Sequence, residues 1–211
     1  MAAEPAIGIY GCNGRMGRAV AELLADFGAR LAGGADASGD PAPVAAAADV
    51  LVDFSTPAAL QANLDAARAA RTPIVVGTTG LTGAHHDLIG QAAADIAVLQ
   101  TGNTSLGVTL LAALVREAAA EGRGEALASD SVVGRAGLTG RRVEGTIGFA
   151  SLRGGTVAGD HQVVFAGDGE RIELGHRAES RTIFARGAIR AALWLAGKPA
   201  GRYTMAEVLG L

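Results

Sequence analysis

Lysine occurs once in this chain, at Lys198, and cysteine once, at Cys12. A lone cysteine forms no internal disulfide and lacks the companions of a metal site, so no metal is expected and a reducing cytoplasm is the natural home. Aromatic residues are 4% of the 211, so the core must be built from Ala, Val, Leu and Ile. A formal net charge of -3 leaves no basic footprint, and a nucleic-acid partner is not expected. No apolar run approaches a membrane span, and the start, MAAEPAIGIYG, lacks the charged and apolar regions of a signal peptide. What the chain does have is 49% hydrophobic residues and 31 glycines. That is the composition of a globular chain, long enough for one large domain or two small ones.

The first half alternates regularly. Ile7 to Tyr10 is a short apolar run, followed by a glycine-rich turn and by helical spacing from Ala19 to Phe27. Leu31 to Ala35, Val50 to Phe54, Ile74 to Val76 and Ile96 to Leu99 read as further strands. Between them, Ala58 to Arg71 and a segment ending near Ala94 read as helices, and Leu106 to Ala120 as another. Ser55-Thr56-Pro57 offers a hydroxyl cap with proline just inside the helix, a strong start signal. Strands alternating with helices of this length predict a parallel sheet with helices on both faces.

After Glu121 the texture changes. Gly134 to Gly145 is a glycine- and arginine-rich loop, in which Arg135, Arg141 and Arg142 offer charge for an acidic ligand or simply a solvated face. Thr146 to Leu152, Val157 to Ala166 and Arg171 to Ala178 read as strands, the last two joined by a hairpin at Gly167-Asp168-Gly169. Ile183 to Leu195 is a final helix. Tight turns between consecutive strands predict an α+β domain on an antiparallel or mixed sheet. The expected division is 1–104 with 182–211 for the first domain and 105–181 for the second.

The turn Gly11-Cys12-Asn13-Gly14-Arg15-Met16-Gly17 is a G-x-x-G-x-x-G variant of the dinucleotide fingerprint, placed in the first βα turn. Glycines permit the tight turn and bring backbone close to a pyrophosphate at the positive end of the following helix. Asp36 lies 19 residues past Gly17 (36 − 17), where a carboxylate can accept from an adenosine ribose; Asp40 is its rival. Ser55-Thr56, Gly77-Thr78-Thr79-Gly80 and Thr101-Gly102-Asn103-Thr104-Ser105 end three strands on the edge where ligands bind. Each also suits plain helix capping.

These residues carry a resemblance. Gly11 to Gly17, Val52-Asp53-Phe54-Ser55-Thr56-Pro57 and Gly77-Thr78-Thr79-Gly80 resemble dihydrodipicolinate reductases of the lysine and diaminopimelate pathway. Gly102 to Val108 is similar to that family's hinge motif, with Thr104 where the family usually has Phe or Met. Gly145 to Phe149, Arg153-Gly154-Gly155, Gly159-Asp160-His161, Gly169-Glu170-Arg171 and the tail from Phe184 through Trp194 to Leu211 match as well. The resemblance implies a two-domain Rossmann-type reductase that uses NADH or NADPH on a small dicarboxylate cyclic imine. It places the cofactor at Gly11, Cys12, Asn13, Gly14, Arg15, Met16, Asp36, Gly77, Thr78, Thr79, Gly102, Asn103 and Thr104. It also implies a homotetramer built through the second domain's sheet. The residue after Asp36 is Ala37, where the family often has a basic residue to hold a 2′-phosphate, so NADH is expected to bind at least as well as NADPH.

One departure is large. Before Arg135 the family carries a His-His-Arg-x-Lys stretch and a Ser-Gly-Thr turn, supplying its proton donor and substrate grip. This chain instead runs Ala118-Ala119-Ala120-Glu121-Gly122-Arg123-Gly124, and a few tens of residues are missing. Hydride delivery to a conjugated imine must be balanced by a proton from a positioned acid. Lys198 belongs with the first domain, His85-His86 reads as helix surface, and His161 and His176 read as paired within the second sheet or at a subunit contact, so no catalytic residue is assigned. Either a loop is omitted from the written chain or the chain is truly shortened. Two other functions stay open: an amino-acid dehydrogenase of the aspartate dehydrogenase kind, and a nucleotide-binding pseudoenzyme.

Overall fold

The computed structural model describes residues 3–36, 38–120, 131–133, 145–151 and 154–211. Ala37 and the arginine-rich loop with Arg135, Arg141 and Arg142 lie outside them. The chain divides into two compact units, 1–110 with 180–211, and 111–179.

The first unit is built on six parallel strands: β1 (Ala6–Tyr10), β2 (Arg30–Ala35), β3 (Val50–Asp53), β4 (Ile74–Val76), β5 (Ala97–Gln100) and β10 (Gly201–Tyr203). Their order is β10-β5-β4-β3-β1-β2. Period-two alternation divides the inner strands between two cores. Ile7, Ile9, Val50, Val52, Val75, Ala97 and Leu99 face one; Tyr10, Leu51, Ile74, Val76 and Val98 face the other. Helices α1 (Arg15–Leu23) and α6 (Thr182–Leu195) cover the first face through Val20, Ile189 and Leu195. The second face is covered by α2 (Ala42–Ala47), α3 (Leu60–Ala70) and α4 (Gly83–Ala93) through Val44, Leu64 and Ile89. Burial on both faces is why these strands read as unbroken apolar runs. Fully burying each Ile, Leu or Val contributes roughly 1.5–3 kcal/mol.

Helix α1 begins at Arg15, four residues earlier than its apolar spacing suggests, because Gly14 already stands as N-cap in extended conformation. A 3-10 turn, Leu24–Phe27, completes it. The cap expected at Ser55-Thr56 is not used: Thr56 precedes a short 3-10 turn, Pro57–Ala59, without a side-chain cap bond. The Ser55 hydroxyl instead donates to Asp53 at 2.6 Å, since a carboxylate is the stronger acceptor. The tail after α6 adds β10 on the outer edge of β5, then α7 (Met205–Leu209), capped by Thr204. No helix among the described residues is long and apolar enough to cross a membrane.

In the second unit, β6 (Ser131–Val133) pairs in parallel with β7 (Ile147–Phe149), a shorter strand than the sequence suggests. Strands β8 (Gly159–Ala166) and β9 (Arg171–Ala178) form an antiparallel hairpin, whose turn closes with Gly167 N–H donating to Glu170 O. Gly169 supplies the positive φ the turn needs, 80°. The register sorts the run Val163-Val164-Phe165-Ala166 onto two unlike faces. Val163 and Phe165 stand opposite Leu174 and Ile172, making one apolar face. Val164 stands opposite Glu173, on a face that also carries the Gln162–Glu173 hydrogen bond and the Arg171–Glu173 ion pair. Ile172 is 58% exposed.

Helix α5 (Leu106–Ala120) carries the chain from the first unit into the second.

Candidate functional site

Four loops leave the same edge of the sheet, and each is held in register by its first N–H. Gly11 donates to Ala35 O, Phe54 to Tyr10 O, Gly77 to Asp53 O and Thr101 to Val76 O, at 2.7 to 3.0 Å. The parallel ladder therefore continues one step past each strand and fixes the loops as a rigid row. The strand order reverses between β1 and β3, and at such a switch point the loops diverge and leave a crevice.

A cleft of about 440 Å³ opens there. It is lined by Gly14, Arg15 and Met16 from the first loop, Phe54 and Ser55 after β3, Gly77, Thr78 and Thr79 after β4, and Thr101 to Thr104 after β5. Phe184 of α6 closes one wall. Of the expected residues, Gly11, Cys12, Asn13 and Asp36 do not line this cleft. Asp36 ends the row beyond β2, where it accepts from the Asn13 backbone N–H at 3.3 Å and from the Asn13 side-chain amide. The Cys12 thiol also points at it, with Sγ 3.7 Å from the carboxylate; burial first, then the Asp36 charge, pushes that thiol up from its usual range. The rival, Asp40, accepts from the Ala42 N–H two residues on, a local turn ahead of α2, whose N-cap is Pro41.

The first loop fits a pyrophosphate. Gly11 holds φ at 76°, and a Cβ on it would stand 2.6 Å from Phe54 O. A Cβ on Gly17 would stand 2.3 Å from Gly11 O. The backbone is thus packed as closely as glycine permits, and the first-turn N–H groups of α1 have no side-chain cap to occupy them. Arg15 adds an exposed cation at the same place.

The loop after β5 is braced from within. The Thr101 hydroxyl donates to Asn103 O, Asn103 Oδ1 accepts from Ser105 N–H, and Ser105 Oγ accepts from Val108 N–H as cap of α5. Thr104, 2% exposed, donates to Phe184 O at 2.7 Å, tying this loop to the start of α6. Gly187 makes the approach possible: a Cβ there would stand 1.7 Å from Thr104 O. Phe54 and Phe184 are cleft walls that sequence reasoning missed. Phe184 lies 80 residues from Thr104, so no local pattern marks it.

The histidines sort themselves. His85 sits in the first turn of α4, where its Nδ1 accepts from Thr82 N–H and completes a capping box. His161 and His176 face one another across β8 and β9, ring centroids 5.6 Å apart. Among the described residues no group of three or more His, Cys, Asp or Glu is placed to hold a metal ion.

Comparison with known proteins gives a consistent picture. The model of the dihydrodipicolinate reductase N-terminus matches residues 5–104, and that of its C-terminus matches residues 111–209. The chain is 49% identical to a 4-hydroxy-tetrahydrodipicolinate reductase of Zymomonas mobilis, with 97% of each chain covered. It is 42% identical to the enzyme of that name from Parvibaculum lavamentivorans, with 100% of each covered. The Zymomonas alignment runs over 246 positions, so at least 35 of them (246 − 211) face no residue of this chain. Among solved structures, a dipicolinate-bound dihydrodipicolinate reductase from Paenisporosarcina sp. TG-14 superposes with a TM-score of 0.68. It covers 95% of this chain and 97% of its own at 16% identity, a likeness of fold.

Proposed function

The chain belongs to the dihydrodipicolinate reductase family, and from that premise we propose that it reduces 4-hydroxy-tetrahydrodipicolinate to tetrahydrodipicolinate with NADH or NADPH. The setting is lysine and diaminopimelate biosynthesis in the cytoplasm. One observation carries the reading: the glycine-cradled cleft at the β1/β3 switch point, with a carboxylate beyond β2 and small polar loops beyond β3, β4 and β5. That row has the polarity of a dinucleotide. Asp36 holds the adenosine ribose, Gly11 to Met16 the pyrophosphate, and Thr78, Thr79 and Gly102 to Thr104 the nicotinamide end. A nicotinamide cofactor held by these residues would supply the hydride. Residues 1–104 and 182–211 bind and orient the cofactor, and 105–181 take the dicarboxylate substrate.

Cofactor choice tests this placement. With a carboxylate for the ribose hydroxyls and the uncharged Ala37 next in the sequence, NADH is expected to bind at least as tightly as NADPH by isothermal titration. Asp36→Ala removes hydrogen bonds to a charged acceptor, about 1.5–3 kcal/mol, and should weaken NADH roughly 10- to 100-fold. A clear NADPH preference in the wild type, or no effect of the substitution, refutes the assignment.

The second unit is proposed as the assembly surface of a homotetramer. The face of Val163, Phe165, Ile172 and Leu174 is apolar, and a symmetric partner presenting the same face would bury it. Light scattering after size exclusion should show the tetramer for the wild type and smaller species for Ile172→Asp, with the melting temperature of the first unit unchanged. A wild-type chain that stays monomeric at micromolar concentration contradicts the proposal.

A further inference from the structure

Beneath the cleft lies a charge that the reading above leaves unused. Asp53, the last residue of β3, is fully buried. Its Oδ1 accepts from Ser55 N–H at 2.8 Å, Ser55 Oγ at 2.6 Å and Thr78 Oγ1 at 3.1 Å; its Oδ2 accepts from Asn63 Nδ2 at 3.0 Å. Every donor is neutral, and among the described residues no Lys, Arg or His forms an ion pair with it. The Tyr10 hydroxyl, in the same core, is pushed above its ordinary range by burial first and then by the charges of Asp53 and Asp40, so it stays neutral as well.

Stitching two loops together does not require a charge, and burying one without a counter-ion is expensive. The two hydroxyls that hold this carboxylate, on Ser55 and Thr78, belong to residues that line the cleft. Both hydroxyls donate to Asp53, and Ser55 Oγ also accepts from Asn63 Nδ2 at 3.1 Å, so neither proton is available to the cleft and the O–H dipoles point their positive ends away from it. Both the buried charge and the oriented dipoles make the floor between β3 and β4 negative. Given the order of the row, with Asp36 beyond β2 and the glycine loop beyond β1, that floor lies under the nicotinamide end.

We propose that Asp53 is an electrostatic positioning residue of the cofactor site, whose buried charge favours the positively charged oxidised nicotinamide over the neutral reduced ring. This rests on the cofactor placement proposed above. The same field favours the positive charge that develops on the ring as hydride leaves, which is preorganised stabilisation of the transition state. Asp53 itself touches neither substrate nor cofactor; it acts through Ser55, Thr78 and its field.

The test is isothermal titration of NADH and NAD+ into the full chain and three variants. In the wild type NAD+ should bind at least as tightly as NADH. Asp53→Asn removes the charge and keeps an acceptor. A unit charge within about 12 Å at an effective dielectric of about 20 predicts that NAD+ loses about tenfold more affinity than NADH. Thr78→Val removes one oriented hydroxyl and keeps the charge, so the ratio of NAD+ to NADH affinity should shift much less than in Asp53→Asn. Asp53→Asn with Asn63→Asp returns a charge to the adjacent position and should restore the wild-type ratio. A purely structural role predicts equal losses for both forms in Asp53→Asn, and that result overturns the inference. If Asp53→Asn loses its cooperative melt, the wild-type ratio decides: NADH binding more than tenfold tighter than NAD+ overturns it. A wild-type chain that binds neither form overturns the proposed function, and this inference with it.

Discussion

Gly17→Ala should weaken NADH binding by about a hundredfold or more while leaving the sheet intact. The added Cβ would stand 2.3 Å from Gly11 O and 2.7 Å from Cys12 Cα, both backbone atoms with no rotamer to relieve the clash. Neither partner is free to yield. Helix α1 is anchored by Val20 and, through the 3-10 turn that follows it, by Leu24 in the core, and Gly11 is held between the Ala35 carbonyl and the Phe54 backbone. Relief therefore opens the loop by moving the N–H groups that a pyrophosphate needs. Overpacking of this kind costs about 1–3 kcal/mol, and the upper end corresponds to the expected loss of affinity. Gly90→Ala is the control. That glycine sits inside α4 with nothing within 4 Å of its added Cβ, so binding should be unchanged and stability raised by about 0.5–1 kcal/mol. Titration of both variants decides, and wild-type affinity in Gly17→Ala would mean that the glycine loop does not hold the pyrophosphate.

The parts of this fold that show in the sequence are those whose burial is uniform. β1, β3, β4 and β5 are covered on both faces, so Ile7-Gly8-Ile9-Tyr10 and Val50-Leu51-Val52 stand out as strings of small or apolar residues. The glycine loop shows because its spacing is set by backbone contact. β10 does not show: Gly201-Arg202-Tyr203 has no apolar pattern and becomes a strand only by pairing with β5, a hundred residues away in the chain. The end of β3 was legible as a site but misread in mechanism. Ser55-Thr56 ahead of Pro57 looks like a helix cap, and nothing local reveals that a buried carboxylate two residues before Ser55 accepts the serine's hydrogen bond. The hairpin's faces were likewise hidden in a continuous apolar run, because only register assigns Val164 to the side of Glu173.

Steady-state turnover of the 211-residue chain with 4-hydroxy-tetrahydrodipicolinate should fall two to four orders of magnitude below that of a relative carrying the His-His-Arg-x-Lys stretch. A positioned acid contributes typically about 10²- to 10⁴-fold, and the chain runs from Ala118 to Gly124 without a histidine or lysine. Cofactor binding should be spared, since every residue lining the cleft lies in the first unit. Inserting the relative's stretch after Ala120 should restore the rate. Turnover as fast as the relative's, in a protein whose intact mass matches 21.0 kDa, would mean that the proton comes from elsewhere. His161 and His176 would then be the first residues to replace.

Slow turnover still leaves the reaction itself observable. The most direct measurement is a single-turnover experiment with protein in excess over NADH, following the loss of dihydronicotinamide absorbance with and without the cyclic imine. The expected result is oxidation that requires the imine, consumes one NADH per tetrahydrodipicolinate formed, and disappears in Gly17→Ala. Bound NADH that stays reduced in the presence of saturating imine would contradict membership of the chain among working reductases and leave it a nucleotide-binding protein without this chemistry.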